Sequence, residues 1–230
     1  MPDLHFFQYL IISGQKGLRA NMKNIETVLL DFDGTLIDSI TASFEAICVI
    51  FQRQGLDRPS FEDYCVAFKY PFEQFYYDRG ITLEKEQIVD EYHKIARHED
   101  RTLFPDSIDT IHTLRSLGLK CGIVSGQQTG RILQKFSTTT VRGEFFEIVG
   151  DVECKATSIK EVMTNHDLDP GGVLYVGDTC QDMRDSISAG VVPIGITRGN
   201  PTTKLLIQAG AKFCISDLCD LRKILENSNH

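Results

Sequence analysis

The chain has 230 residues, of which 42% are hydrophobic and 24% charged, with a formal net charge of -8 and a pI near 5.2. That is globular composition, enough for one apolar core plus a smaller second unit. The acidic balance makes the chain a poor candidate for sequence-independent nucleic-acid binding, which needs a basic surface. No apolar run approaches the roughly 20 residues of a membrane span.

At the N-terminus, "LHFFQYLII" is apolar but short. No Lys or Arg precedes it and no small-residue cleavage site follows, so no signal peptide is expected. Residues 1–24 read as an extension, and either Met1 or Met22 opens the functional chain. Cysteines stand at 48, 65, 121, 154, 180, 214 and 219. None forms C-x-x-C, so no zinc site is expected. Cys48 and Cys121 lie inside apolar runs. Buried, reduced thiols favour a reducing compartment and a cytoplasmic location.

Residues 25–31 predict a first strand ending at Asp31. The region 39–103 then carries helical patterns and no convincing strand. "SITASFEAICVIFQRQG" sets Phe44, Ile47, Ile50 and Phe51 on one face. "SFEDYCVAF" offers Ser60 as an N-cap with Asp63 three residues on. "TLEKEQIVDEYHKIARHED" predicts a helix from Thr82, with Glu84 and Glu86 in its first turn. "FKYPFEQFYYDRG" mixes Lys69 and Arg79 with aromatics, and reads as a packed core with charges reaching to water. The histidines show no metal spacing; His93 and His98 belong to a surface helix.

Further strands are predicted at 120–125, 145–151, 173–178, 191–197 and 212–216. They are short, β-branched and almost continuously apolar, as strands covered on both faces read. "PDSIDTIHTLRSLG" places Ile108, Ile111, Leu114 and Leu117 at helical spacing, with Asp106 as N-cap and Gly118 past the end. Helices also follow in "CKATSIKEVMTNHD" and "DTCQDMRDSISAG". The alternation predicts an α/β fold with a doubly wound parallel sheet, whose ligands bind at the carboxyl ends of the strands. The helical region after the first strand reads as a cap over those ends.

Those ends carry the chemistry. Asp31 and Asp33 close the first strand, Ser125 the second, and Asp178 the fourth, with Asp182 one helical turn later. Lys155 precedes the helix after the third. Buried carboxylates are costly unless paired or metal-bound. Hard oxygen donors with one lysine call for Mg²⁺. Asp31 is then a nucleophile for phosphorus and Asp33 an acid/base for the leaving oxygen and for water. Ser125, with Gly126 beside it, is placed to bind phosphoryl oxygens. Lys155 supplies charge where negative charge builds up. One Asp at a strand end is ordinarily a turn or cap residue; D-x-D-G-T and G-D-x-x-x-D in this order are far more specific.

"DFDGTLIDS", "IVSG", "CKATS" and "VGDTCQD" resemble, in chain order, the four motifs of the haloacid dehalogenase superfamily. The likeness covers about residues 25–222, and the tail "AGAKFCISDLCDL" resembles phosphoglycolate-phosphatase-like members. It implies a Rossmann-like core over 25–38 and 104–230 and a helical cap over 39–103. It implies Mg²⁺ held by the Asp31 side chain, the Asp33 main-chain carbonyl and Asp178, with Asp182 in support. It also implies phosphoryl rather than dehalogenase chemistry, because Asp33 is present. Two positions depart from the pattern. Ala156 follows Lys155 where Pro is usual, and Gly126, Gln127 and Gln128 follow Ser125 in place of a small polar loop.

The expected activity is Mg²⁺-dependent hydrolysis of a small phosphorylated metabolite, phosphoglycolate or a sugar phosphate, by a monomer or homodimer. A sugar phosphomutase and a non-catalytic metabolite-binding homologue are the alternatives. A Schiff-base reaction would need a cap lysine, for which Lys69 is available.

Overall fold

The computed structural model describes residues 25–68, 72–95, 101–200 and 202–228. The N-terminal extension with Met22, and residues Lys69 and His98, lie outside the described residues.

A six-stranded sheet is ordered β3-β2-β1-β4-β5-β6. Its strands are β1 (Thr27–Leu30), β2 (Lys120–Val124), β3 (Phe145–Val149), β4 (Val173–Gly177), β5 (Val192–Ile196) and β6 (Phe213–Ile215). Every neighbouring pair is parallel. The strands are short, and all except β3, which is half-buried along its length, are mostly buried because helices cover both faces. Side chains alternate across a strand, and β1 shows it directly. Val28 and Leu30 join one cluster with Ile111, Leu114 and Ile132. Leu29 joins another with Ile159, Val162 and Met163. The chain winds from β1 out to β2 and β3, then returns to lay β4 on the other side of β1. That reversal opens a crevice at the strand ends.

The core helices are α5 (Ser107–Ser116), α6 (Thr129–Phe136), α7 (Lys155–Asn165), α8 (Cys180–Ala189), α9 (Thr203–Gln208) and α10 (Asp220–Ser228). Between β1 and α5 lie α1 (Ile40–Arg53), α2 (Phe61–Ala67), α3 (Glu73–Tyr77) and α4 (Lys85–Ile95). These four helices build their own apolar cluster, in which Phe44, Ile47, Ile50 and Phe51 are buried with Tyr64, Phe75 and Tyr76. Ser60 caps α2 by accepting the Asp63 N–H at 3.0 Å, as its spacing predicts. Arg79 pairs with Asp63 at 2.7 Å and lies 3.8 Å over the Phe75 ring. Its charge is therefore spent inside the insert.

Some expectations need correction. Helix α4 starts at Lys85 rather than Thr82, because the Gln87 side chain accepts the Glu84 N–H at 2.9 Å and fixes the start there. Leu117 is 46% exposed, because α5 stops at Ser116 and Gly118 turns the chain with φ +82. Among the cysteines, Cys48, Cys121 and Cys214 are buried, but Cys154 and Cys219 are exposed. Asp106 makes no cap bond with its side chain. Its carboxylate binds Arg198 Nη1 at 2.8 Å and the Leu218 N–H at 2.6 Å instead.

That pair matters for the site. The Arg198 side chain is only 4% exposed, donates to the Thr35 carbonyl and stacks 3.9 Å over Phe104. It ties the loop after β5 to the turn after β1. Removing one partner of such a buried pair leaves the other charge uncompensated. Arg198→Met is expected to lower unfolding free energy by about 3 kcal/mol, read as an earlier midpoint in urea denaturation.

Candidate active site

Strand β1 runs out at Asp31, whose N–H still bonds the Val176 carbonyl at 2.9 Å. The chain then turns sharply, and the Phe32 carbonyl accepts from the Leu36 and Ile37 N–H groups at 2.9 and 3.0 Å. Gly34 makes the turn possible. Its φ is +72, which L side chains rarely adopt, and a Cβ there would overlap the Asp178 carboxylate. The glycine of D-x-D-G-T thus lets two acidic strand ends approach each other.

Asp31 is 4% exposed. Carboxylate oxygens of Asp31, Asp178 and Asp182 lie within 4.8 Å of one another. Lys155 is the first residue of α7 rather than lying ahead of it. Its Nζ lies 3.1 Å from Asp31 Oδ2 and 2.5 Å from Asp182 Oδ1. Asp182 also caps α8: Oδ2 accepts from the Thr179 N–H at 2.9 Å and hydroxyl at 2.5 Å, while the Thr179 hydroxyl accepts the Asp182 N–H at 3.1 Å. The cap residue of this helix is therefore Thr179, which leaves Asp178 free to face the cluster.

Burial pushes the Asp31 carboxyl up; Lys155 opposes this, Asp182 and Asp33 add to it, and the pKa settles at about 6. Burial, then Asp182 and Asp31, hold Asp178 well above the usual carboxylate range. Burial disfavours the Lys155 ammonium, but Asp182 and Asp31 outweigh it and raise its pKa well above 10.5. One ammonium does not neutralise three enclosed carboxylates. Asp178 Oδ1 is buried with no hydrogen-bond partner among the described residues, which is costly for an anion. An all-oxygen donor set with an orphaned oxygen fits a hard divalent cation.

The other expected residues fall close by with different partners. Ser125 is buried at the end of β2, and its Oγ accepts the Gln127 N–H at 3.3 Å. Gly126 beside it is exposed. The Asp33 carboxylate stands apart from the three-carboxylate group. Its Oδ1 accepts from Arg101 Nη1 at 3.1 Å and its Oδ2 from Gln127 Nε2 at 2.9 Å. The metal contact expected of Asp33 concerned its main-chain carbonyl, so this does not conflict with it.

Sequence reasoning missed Arg101 and gave Gln127 no role. Arg101 hides in the charged run "RHEDRT", which reads as a solvated helix end. The available signal was position: Arg101 lies where the chain re-enters the core beside the strand ends.

Residues 28–196 match the family described as haloacid dehalogenase-like hydrolase. The chain belongs to that family. The hydrolase is 23% identical over 212 residues to a phosphoglycolate phosphatase of Salmonella typhimurium, covering 77% of this chain and 83% of the relative. It is 26% identical over 225 residues to the pyrophosphatase PpaX of Oceanobacillus iheyensis, covering 89% and 99%. A solved haloacid dehalogenase-like protein from Agrobacterium tumefaciens superposes with a TM-score of 0.77 at 20% identity, over 90% of this chain and 100% of the other. That likeness bears out the doubly wound α/β fold.

The raised carboxyl pKa values have a sign. The folded hydrolase holds these protons more tightly than the unfolded chain does. Without metal, its stability should therefore fall as pH rises from about 4 through 6. A divalent cation needs the carboxylates ionised. Thermal melts are expected to show a larger Mg²⁺-induced rise in Tm at pH 7.5 than at pH 5; an equal rise would argue against the carboxylate site.

Proposed function

We propose that the hydrolase is a Mg²⁺-dependent phosphatase acting on a small phosphate monoester, of the phosphoglycolate or sugar phosphate class, through an aspartyl-phosphate. The observation that carries this is Asp31, buried at a strand end between Lys155 and two further carboxylates, one with an oxygen unpaired among the described residues. Asp31, Asp178 and the Asp33 main-chain carbonyl would hold the cation, with Asp182 in support. When bound, the ion lowers the repulsion between anionic nucleophile and anionic phosphate.

The remaining steps belong to side chains. Asp31 attacks phosphorus, and the bond to the leaving oxygen breaks as Asp33 gives that oxygen a proton. Asp33 then takes a proton from the water that hydrolyses the acyl phosphate. Lys155, held by Asp182, stabilises the charge that builds on the phosphoryl oxygens. Ser125 and Gly126 line the approach for those oxygens. The helical insert, residues 39–103, serves as the cap, and residues 25–38 with 104–230 as the catalytic core.

A cavity of about 680 Å³ supports an organic leaving group. Asp178, Thr179 and Arg184 line it from the core, and Tyr64, Phe68 and Phe72 from the insert. Relatives named phosphoglycolate phosphatase and pyrophosphatase support phosphate hydrolysis as the reaction. Seven unpaired cysteines fit a reducing, cytoplasmic setting. Among the described residues, no helix is long and apolar enough to cross a membrane.

Asp31→Asn is expected to abolish phosphate release from p-nitrophenyl phosphate while the folded circular dichroism spectrum is kept. Chelation is expected to stop the wild-type enzyme, and added Mg²⁺ to restart it. Turnover that survives either treatment would remove the reading.

A further inference from the structure

Arg101 is 6% exposed, although it carries a permanent charge. Three neighbours hold its guanidinium. Nη1 donates to Asp33 Oδ1 at 3.1 Å. Nη2 donates to the Tyr92 hydroxyl of α4 at 2.9 Å and to the Ser43 hydroxyl of α1 at 3.4 Å. Those two hydroxyls also bond each other at 2.8 Å. From the core side, Lys135 of α6 donates to the Arg101 carbonyl at 2.5 Å. Arg101 therefore joins three parts: the turn bearing Asp33, two helices of the insert, and a core helix.

The arrangement is poor as a stability device. Among the described residues the buried guanidinium Nε has no partner, an omission that costs roughly 1–3 kcal/mol. Well-packed apolar residues often replace buried ion pairs at no loss of stability. What a planar, rigid fork supplies is direction. Asp33 needs direction, since its side chain is the less buried partner, 31% exposed, and would otherwise sample several rotamers.

We propose that Arg101 is the residue that aims Asp33, and that it does so from a seat fixed by the insert through Tyr92 and Ser43. The inference rests on the phosphatase reading above. Arg101 is a positioning residue and takes part in no bond change. As the Asp31–phosphorus bond forms and the phosphorus–leaving-group bond breaks, the Asp33 carboxyl proton passes to the departing oxygen. Asp33 is left as carboxylate, and Arg101 and Gln127 keep its plane turned to the reacting centre. Each Asp33 oxygen retains a lone pair for the proton, because among the described residues each accepts a single bond.

Leaving-group dependence tests this. Benzyl phosphate and p-nitrophenyl phosphate are similar in size, but a benzyl alkoxide departs only with a proton and a nitrophenolate departs without one. Since kcat/KM reports the steps through phosphoenzyme formation, Arg101→Ala is expected to lower it about 100-fold for benzyl phosphate, the lower range of general acid catalysis, and only about threefold for p-nitrophenyl phosphate. Arg101→Lys, which keeps the charge and the stem, should recover part of the benzyl phosphate rate. It also serves as the readout if the alanine variant fails to fold. Tyr92→Phe should produce a smaller loss with the same bias toward benzyl phosphate. Equal losses on both substrates would mean a merely structural role and overturn the proposal, as would an unchanged or faster benzyl phosphate rate in both Arg101 variants. An unaltered Tyr92→Phe enzyme would overturn the link to the insert. A wild-type enzyme inert toward both substrates would instead overturn the phosphatase reading and take this inference with it.

Discussion

The structure turns on an excess of negative charge enclosed at the end of a parallel sheet. Asp31, Asp178 and Asp182 face one ammonium, that of Lys155. Parallel pairing of β1 with β4 brings the first two together, and Gly34 lets the turn pass without touching Asp178. The cap of α8 holds Asp182, and Asp182 holds Lys155. Each local feature makes sense as part of keeping this imbalance in place. A fold selected for stability alone would replace the cluster with apolar side chains.

Magnitude separates these contacts from the rest. Arg53 with Glu91 and Arg58 with Glu45 are surface pairs, screened by water and salt, and they contribute little. Arg198 and Arg101 are nearly buried, so their geometry is held and their loss is felt. Both reach the D-x-D-G-T turn: Arg198 through the Thr35 carbonyl, Arg101 through the Asp33 carboxylate. The turn is thus braced from the core on one side and from the insert on the other.

Much of this was legible in the sequence. Strands buried on both faces read as continuous apolar runs; Asp31, Asp178 and Asp182 stand out because they end such runs or follow them within a turn, and Lys155 because it stands at the helix after the third strand. What stayed hidden depends on contacts distant in sequence. Arg101 lies 68 residues from Asp33, within a run of charges that looks like any solvated helix end. Asp106 looked like an N-cap because its type and place are right, yet an arginine from the loop after β5 claimed its carboxylate. Leu117 kept helical spacing but fell beyond the last turn, where Gly118 ends the helix. Local propensity proposes such roles, and long-range partners decide them.

The pairing register also bears on how the chain acquires its shape. Thr27 pairs with Lys120 on one side and Val173 on the other, so this strand is completed by partners made much later. Bringing them together means closing very long loops, which slows folding more than it lowers stability. The insert shortens the effective path. Its helices gather their own apolar residues, and Ile37 bridges Leu103 where the chain leaves and returns. Synthesis that pauses after the insert would give those helices time to collapse and hold the waiting strand beside its future neighbour.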